Sequence, residues 1–174
     1  MYRIFLFLLI ILVAGSVMAR GTYLEPADFI RQTFPDSPPA PSVIWLTGEL
    51  KQRFNEIAGH DPSSLRLRYW AQDERSAWIL EEIGKTEPIT VGVVVNAGRI
   101  ERLQVLAFRE SRGDEVRHPF FTKQFEGAAL NQAQQLNLPI DGISGATLSV
   151  RALQRIARLA LLLHRRSVGH GKLS

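Results

Sequence analysis

The chain contains no cysteine. Disulfides, iron–sulfur clusters and c-type haem attachment therefore cannot be built from its own residues, a cysteine nucleophile is excluded, and there is no thiol for lipoprotein acylation. Any redox activity has to come from a bound cofactor. Histidine is scarce, and its four copies lack the spacing of a metal site: His60 sits in a turn, His118 precedes a proline, and His164 and His170 fall in the basic C-terminal stretch. Repeats and low-complexity segments are absent, and there is one long apolar run. It spans Ile4 to Ala14, follows Met-Tyr-Arg3 and leads into Gly-Ser-Val17-Met-Ala19, small residues suited to signal-peptidase cleavage after Ala19. Apolar-type positions up to Met18 number about 15, short of the roughly 20 that a membrane span needs. Two readings stand for residues 1–19: a cleaved signal peptide, or an uncleaved anchor through residues 4–18 with Arg3 on the cytoplasmic side. Both send the bulk of the chain out of the cytoplasm, into a periplasmic or other extracytoplasmic space.

Acid is missing from the C-terminal stretch. Residues 150–174 hold six of the 21 Lys/Arg and no Asp or Glu, so the net charge of +4 belongs to this stretch, and the rest is slightly acidic. Such a segment suits phosphate, an anionic membrane surface or an acidic redox partner, or is simply a solvated helix face. Nucleic acid fits poorly, because aromatics do not interleave with the basic residues.

The remaining pattern suits one domain with a single core of about 155 residues. Pro26 opens a helix over Ala27 to Thr33, and Pro35 to Pro41 reads as a stiff extended connection. Thr47 is placed to cap a helix over Gly48 to Ala58, with Gly59 as its stop. Strands are expected at Leu65 to Trp70, at Ser76 to Ile83 and, as a β-branched central strand, at Ile89 to Asn96. Asn96-Ala97-Gly98-Arg99 turns into a further strand over Ile100 to Arg109 with a local irregularity. Phe120 to Leu136 reads as a helix, and Val150 to Arg166 as an amphipathic one, with Leu153, Ile156, Ala160 and Leu163 on its apolar face. Trp45, Trp70 and Trp78 are expected in the core. The sum is an α+β fold, an antiparallel sheet flanked by helices.

The stretch with most chemistry is Asp141-Gly-Ile-Ser144-Gly145-Ala146-Thr147-Leu-Ser149, directly before the last helix. Free backbone N–H groups and the positive end of a helix dipole favour phosphate, and Gly145 and Ala146 let it approach. The plainer reading is a Ser/Thr N-cap after a turn. Ser144 is no hydrolase nucleophile, since Gly142 and Gly145 do not give the spacing of a nucleophile elbow.

Asp-x-x-Ser-Gly-Ala-Thr-x-Ser resembles the flavinylation motif of the FMN-binding domain family, which includes subunits of the sodium-pumping NADH:quinone oxidoreductase and of the Rnf complex. Glu110-Ser111-Arg-Gly113-Asp-Glu-Val, then Phe121-Thr-Lys-Gln124-Phe125-Glu-Gly127, are similar to the middle of its soluble members, and Glu81 to Thr90 to their lead-in to the first core strand. Ser111 stands where family members often have threonine, which leaves the hydroxyl in place. The resemblance covers roughly residues 76–166, with a weaker echo at Phe29 to Phe34 and Leu46 to Ile57. It implies residues 20–75 as an N-terminal part, 76–166 as the FMN-binding core and 167–174 as a basic tail. It further implies FMN held covalently by a phosphoester on Thr147, attached by a dedicated flavin transferase. Ser144 and Ser149 are placed to hydrogen-bond phosphate oxygens, with Gly145 and Ala146 giving room. Asp141 cannot favour a nearby phosphate charge, and reads as a loop cap, a contact to a transferase metal or a plain Asx-turn. Glu110 is implied beside the isoalloxazine, as acceptor for its N3–H or as closure of the Ser111–Gly113 turn, against the alternative of a solvated strand end. Gly113 would let backbone approach the ring. Gln124 and Phe125 could contact the cofactor, with Phe125 as readily core. The expected function is an exported, covalently flavinylated electron carrier working with redox partner proteins or a membrane electron-transfer complex. The alternatives are a flavin-bearing subunit or partner of an extracytoplasmic reductase or respiratory complex, and a structural relative without flavin.

Overall fold

The computed structural model describes residues 21–170, with side chains described as far as Ser167. The signal or anchor segment, residues 1–19, lies outside them. Five strands form an antiparallel meander in chain order: β1 (Ser42–Trp45), β2 (Arg66–Gln72), β3 (Arg75–Ile83), β4 (Pro88–Asn96) and β5 (Arg99–Phe108). Helices α1 (Pro26–Thr33), α2 (Gly48–Ala58), α3 (Pro119–Thr122) and α4 (Thr147–His170) complete an α+β fold.

β4 is the centre of the core. Every residue from Ile89 to Val95 is buried, because both faces of the sheet are covered. Val91, Val93 and Val95 pack toward α2 and α4, while Val94 joins Ala77 and Leu106 under Phe29, Ile30 and Phe34 of α1. Gly92 provides the space for α1, since a Cβ there would lie 2.6–2.7 Å from the Phe29 ring. Arg102 and Arg75 stack on Phe29 and Phe34 at 4.9 and 5.8 Å and donate to Thr33, which fixes the helix end.

The β4–β5 hairpin turns at Ala97 and Gly98, both at positive φ, the geometry of a two-residue type I′ turn. The irregularity expected in β5 is present as register shifts at Thr90/Val91 and Val94/Val95. The outer edge of β5 is covered by Gly21 to Leu24: Tyr23 and Leu24 N–H donate to the Leu106 carbonyl, and Phe108 N–H to Gly21.

Several expectations need correction. Phe120 to Leu136 is not one helix. α3 gives way to a 3-10 turn at Lys123–Phe125, and Gly127, at φ +80, ends the helical path. The chain then folds back on itself, with Asn131 Oδ1 accepting from Gln135 N–H and Asn137 Oδ1 from Ala129 N–H. β1 follows the Pro35–Pro41 connection, at Ser42–Trp45, a stretch to which the sequence assigns no element. Thr47 stands at the N-cap of α2, yet its side chain makes no capping bond, while Gly59 closes the helix in the left-handed conformation. Of the tryptophans, Trp78 is fully buried and stacked on Tyr69 at 4.7 Å, Trp70 is partly buried against the α1 core, and Trp45 is 59% exposed.

α4 is buried on more than one side, with all residues from Leu159 to His164 out of solvent. His164 is therefore core, not tail: its Nδ1 lies 2.7 Å from Ser76 Oγ, its Nε2 accepts from Gly98 N–H at 3.3 Å, and Trp78 Nε1–H donates to the same Ser76 oxygen at 2.8 Å. Nor is the basic face of α4 simply solvated. Arg155 binds the buried Glu82 carboxylate and the Ile83 carbonyl, Arg158 the Gln134 carbonyl and Arg165 the Leu130 carbonyl. These arginines strap the 128–137 segment and the end of β3 to the helix. Among the described residues no helix is long and apolar enough to cross a membrane, and no cluster of His, Asp and Glu could hold a metal.

Candidate functional site

The site forms where the start of α4 meets the chain leaving β5. Gly145, at φ +82, makes the turn that a side chain would strain, and Ala146 N–H donates to the Ile143 carbonyl. The helix ladder then begins with Val150 N–H to the Ala146 carbonyl. The N–H groups of Thr147, Leu148 and Ser149 precede that bond and make up the electropositive helix end. Thr147 is the first helical residue and its side chain is exposed. A hydroxyl there is open to reagents from solvent and next to donors that favour an anion.

The second wall comes from the Arg109–Gly113 segment after β5. Gly113 adopts φ +89, and a Cβ on it would lie 2.9 Å from Ser149 Oγ and 3.3 Å from Ala146 Cβ. This glycine thus lets the segment seat directly on the first turn of α4. The two walls and Lys85 line a cleft of about 360 Å³ whose surface is formed by Lys85, Glu110 to Arg112 and Gly145 to Ser149.

Glu110 has a defined set of partners. Its Oε1 accepts from the N–H groups of Lys85, Thr86 (2.6 Å) and Glu87 (2.9 Å), and Oε2 from the Thr86 hydroxyl at 3.2 Å. The β3–β4 turn is closed around this carboxylate, and Gly84 makes room for it, since a Cβ there would be 3.0 Å from Oε1. Burial opposes ionisation, but the donated hydrogen bonds outweigh it and hold the carboxyl below the ordinary range. Arg109 fixes the same corner through the Pro88 carbonyl and Thr90 Oγ1.

The expected site residues divide accordingly. Thr147, Gly145, Ala146, Ser149, Glu110 and Ser111 share the cleft. Gly113 lies behind it, packed on the loop. Ser149 is buried against Gly113, whereas Ser144 is exposed and outside the cleft lining. Asp141 is exposed too, and it is its backbone N–H that is used, donating to Gln124 Oε1 at 2.7 Å. Gln124 therefore tethers the loop before the motif. Phe125 is fully buried, edge-on to Phe121 with centroids 5.7 Å apart. Lys85, Arg112 and Leu148 line the cleft without having been singled out. The sequence places Lys85 and Arg112 inside the similar segments, but nothing local shows that the two turns face one cleft.

Residues 84–162 match the family described as the FMN-binding domain. The chain carries a domain of the FMN-binding family. No curated protein and no solved structure matches the chain. The whole cleft, Lys85 to Ser149, falls within the matched span of the FMN-binding domain. α1, β1, α2, β2 and β3 precede it and contribute to the same sheet and core. The donor set of the cleft fits an anionic cofactor: helix-terminal N–H groups, an exposed hydroxyl and two cationic side chains.

Proposed function

We propose that this protein is an exported flavoprotein that carries FMN covalently on Thr147 and works in electron transfer. The observation that carries the reading is the exposed Thr147 hydroxyl at the first position of α4, lining a cleft whose other walls come from the residues after β5 and the β3–β4 turn. Attachment needs Thr147 Oγ to lose its proton and form a bond to the flavin phosphate as the activating group leaves, a step suited to a flavin transferase acting from solvent. The helix-terminal N–H groups favour the resulting charge, and Gly145 keeps the approach free of a side chain. FMN, when bound, supplies the redox chemistry. The protein's part is to hold one end at Thr147 and to enclose the rest between Lys85, Ser111 and Arg112. A carrier of this kind works with redox partner proteins or a membrane electron-transfer complex. Residues 1–19 support export, as a cleaved signal or as an anchor. N-terminal sequencing of soluble and membrane fractions distinguishes the two: a chain starting at Arg20 in the soluble fraction is a cleaved signal, and a full-length chain that resists carbonate washing is an anchor.

Co-expression of the full chain with an exported flavin transferase tests the attachment. Thr147→Ala should abolish covalent flavin while leaving the unfolding curve within about 1 kcal/mol of wild type, the usual worth of a hydroxyl at a helix start. Covalent flavin persisting in Thr147→Ala would place the attachment elsewhere.

A further inference from the structure

The cleft has a charge arrangement that attachment at Thr147 does not require. Three ionisable side chains line it: Lys85, Glu110 and Arg112. The carboxylate is already engaged by three backbone N–H groups and a hydroxyl of the β3–β4 turn. The Lys85 ammonium and the Arg112 guanidinium have no hydrogen-bond or ion-pair partner among the described residues. They differ in this from Arg109 and Arg155, whose guanidinium groups are bound to carbonyls and carboxylates nearby. Lys85 is also held at its backbone: its N–H is one of the donors to Glu110, so the carboxylate that closes the turn also fixes the origin of the Lys85 side chain at the cleft.

We propose that Lys85 and Arg112 offset the negative charge that a flavin held in this cleft gains on reduction, and thereby set its potential. The proposal rests on the reading of the cleft as the flavin site. Two-electron reduction of a flavin with uptake of one proton at N5 leaves one negative charge over N1 and the C2 carbonyl. A cation within a few ångströms in a partly enclosed cleft favours that charged form over the neutral oxidised one. The helix end at Thr147 serves the phosphate, which leaves the two side-chain cations for the ring. Glu110 is the one opposing charge in the lining, against two cations, and its oxygens are turned to the three N–H groups and the hydroxyl of the β3–β4 turn.

The test uses the full chain co-expressed with a flavin transferase, as wild type, Lys85→Met, Arg112→Met, the double variant and Lys85→Arg. Flavin loading is read by intact mass, and the midpoint potential by anaerobic titration with dithionite and reference dyes across pH. The expected result is a more negative potential in each methionine variant and most in the double variant. The pH at which the reduced flavin takes up its second proton should rise, while Lys85→Arg stays near wild type. Loaded methionine variants with wild-type potentials at every pH would overturn the proposal. So would methionine variants that fold normally but take up no flavin, because the cations would then be acting at attachment. A wild-type chain without flavin under these conditions instead removes the proposed function, and the present inference with it.

Discussion

Glu110 is committed to the protein's own backbone, which makes it a positioning residue for Lys85 and the β3–β4 turn. Glu110→Ala should lower stability by about 1 kcal/mol, the low end for bonds to a charged acceptor because the site is partly open to water. It should also raise amide exchange at Lys85, Thr86 and Glu87, and unchanged exchange there would contradict the assignment. Its folded-state value is depressed, so its contribution is complete above the ordinary carboxylate range and is lost as pH falls through the lowered value. His164 is also shifted downward. Burial pushes it down, with a smaller opposing pull from Glu74 and a push from Arg165, so the ring is neutral in the fold. Protonation is thus favoured in the unfolded chain, and stability is complete above about pH 6.5 and falls as pH drops toward the lowered value. His60, raised by its bond to the Asp61 carbonyl, works in the opposite sense, so urea unfolding of wild type beside His164→Gln at about pH 7.5 and pH 5.5 isolates this loss. In His164→Gln the neutral-pH stability should be lower and the pH dependence over that window smaller.

At the scale of elements, two glycines mark where pieces of the fold must touch. Gly92→Ala would drive a methyl into the Phe29 ring and should cost about 1–3 kcal/mol as overpacking, partly restored by Phe29→Leu. Gly113→Ala adds strain at φ +89 to crowding against Ser149, so about 1–2 kcal/mol should be lost, with slower flavin uptake by the displaced loop. Unfolding midpoints and loading rates check both. Neither contact is visible in the chain itself, because each joins segments far apart in sequence. What is legible is local: Pro26 starting α1, Gly59 stopping α2, the valine-rich β4 and the Ala97-Gly98 turn all act through neighbouring residues. Phe120 to Leu136 misleads because its apolar spacing suits a helix, while Gly127 and the asparagine side-chain bonds at Asn131 and Asn137 favour a folded-back path. The arginines of α4 mislead in the other direction. Their spacing resembles a solvated face, but the carbonyls of Leu130 and Gln134 that engage Arg165 and Arg158 come from a segment whose path no local pattern reveals.

At the scale of the molecule, a meander sheet covered on both faces holds a long helix whose first two residues, Thr147 and Leu148, are exposed beside the ends of β3 and β5. The Thr147 segment was legible because its chemistry is local to one loop and one helix start. The cleft was not, because Lys85 and Arg112 reach it only through the sheet. The most direct test is peptide mapping of the wild-type chain after co-expression with an exported flavin transferase. Trypsin should release residues 124–151, a segment without internal Lys or Arg that contains Thr147 as its one threonine. This peptide should gain the mass of one FMN less one water, with fragmentation placing it on Thr147 and not on Ser144 or Ser149. An unmodified peptide, with a control substrate flavinylated by the same transferase, would contradict it.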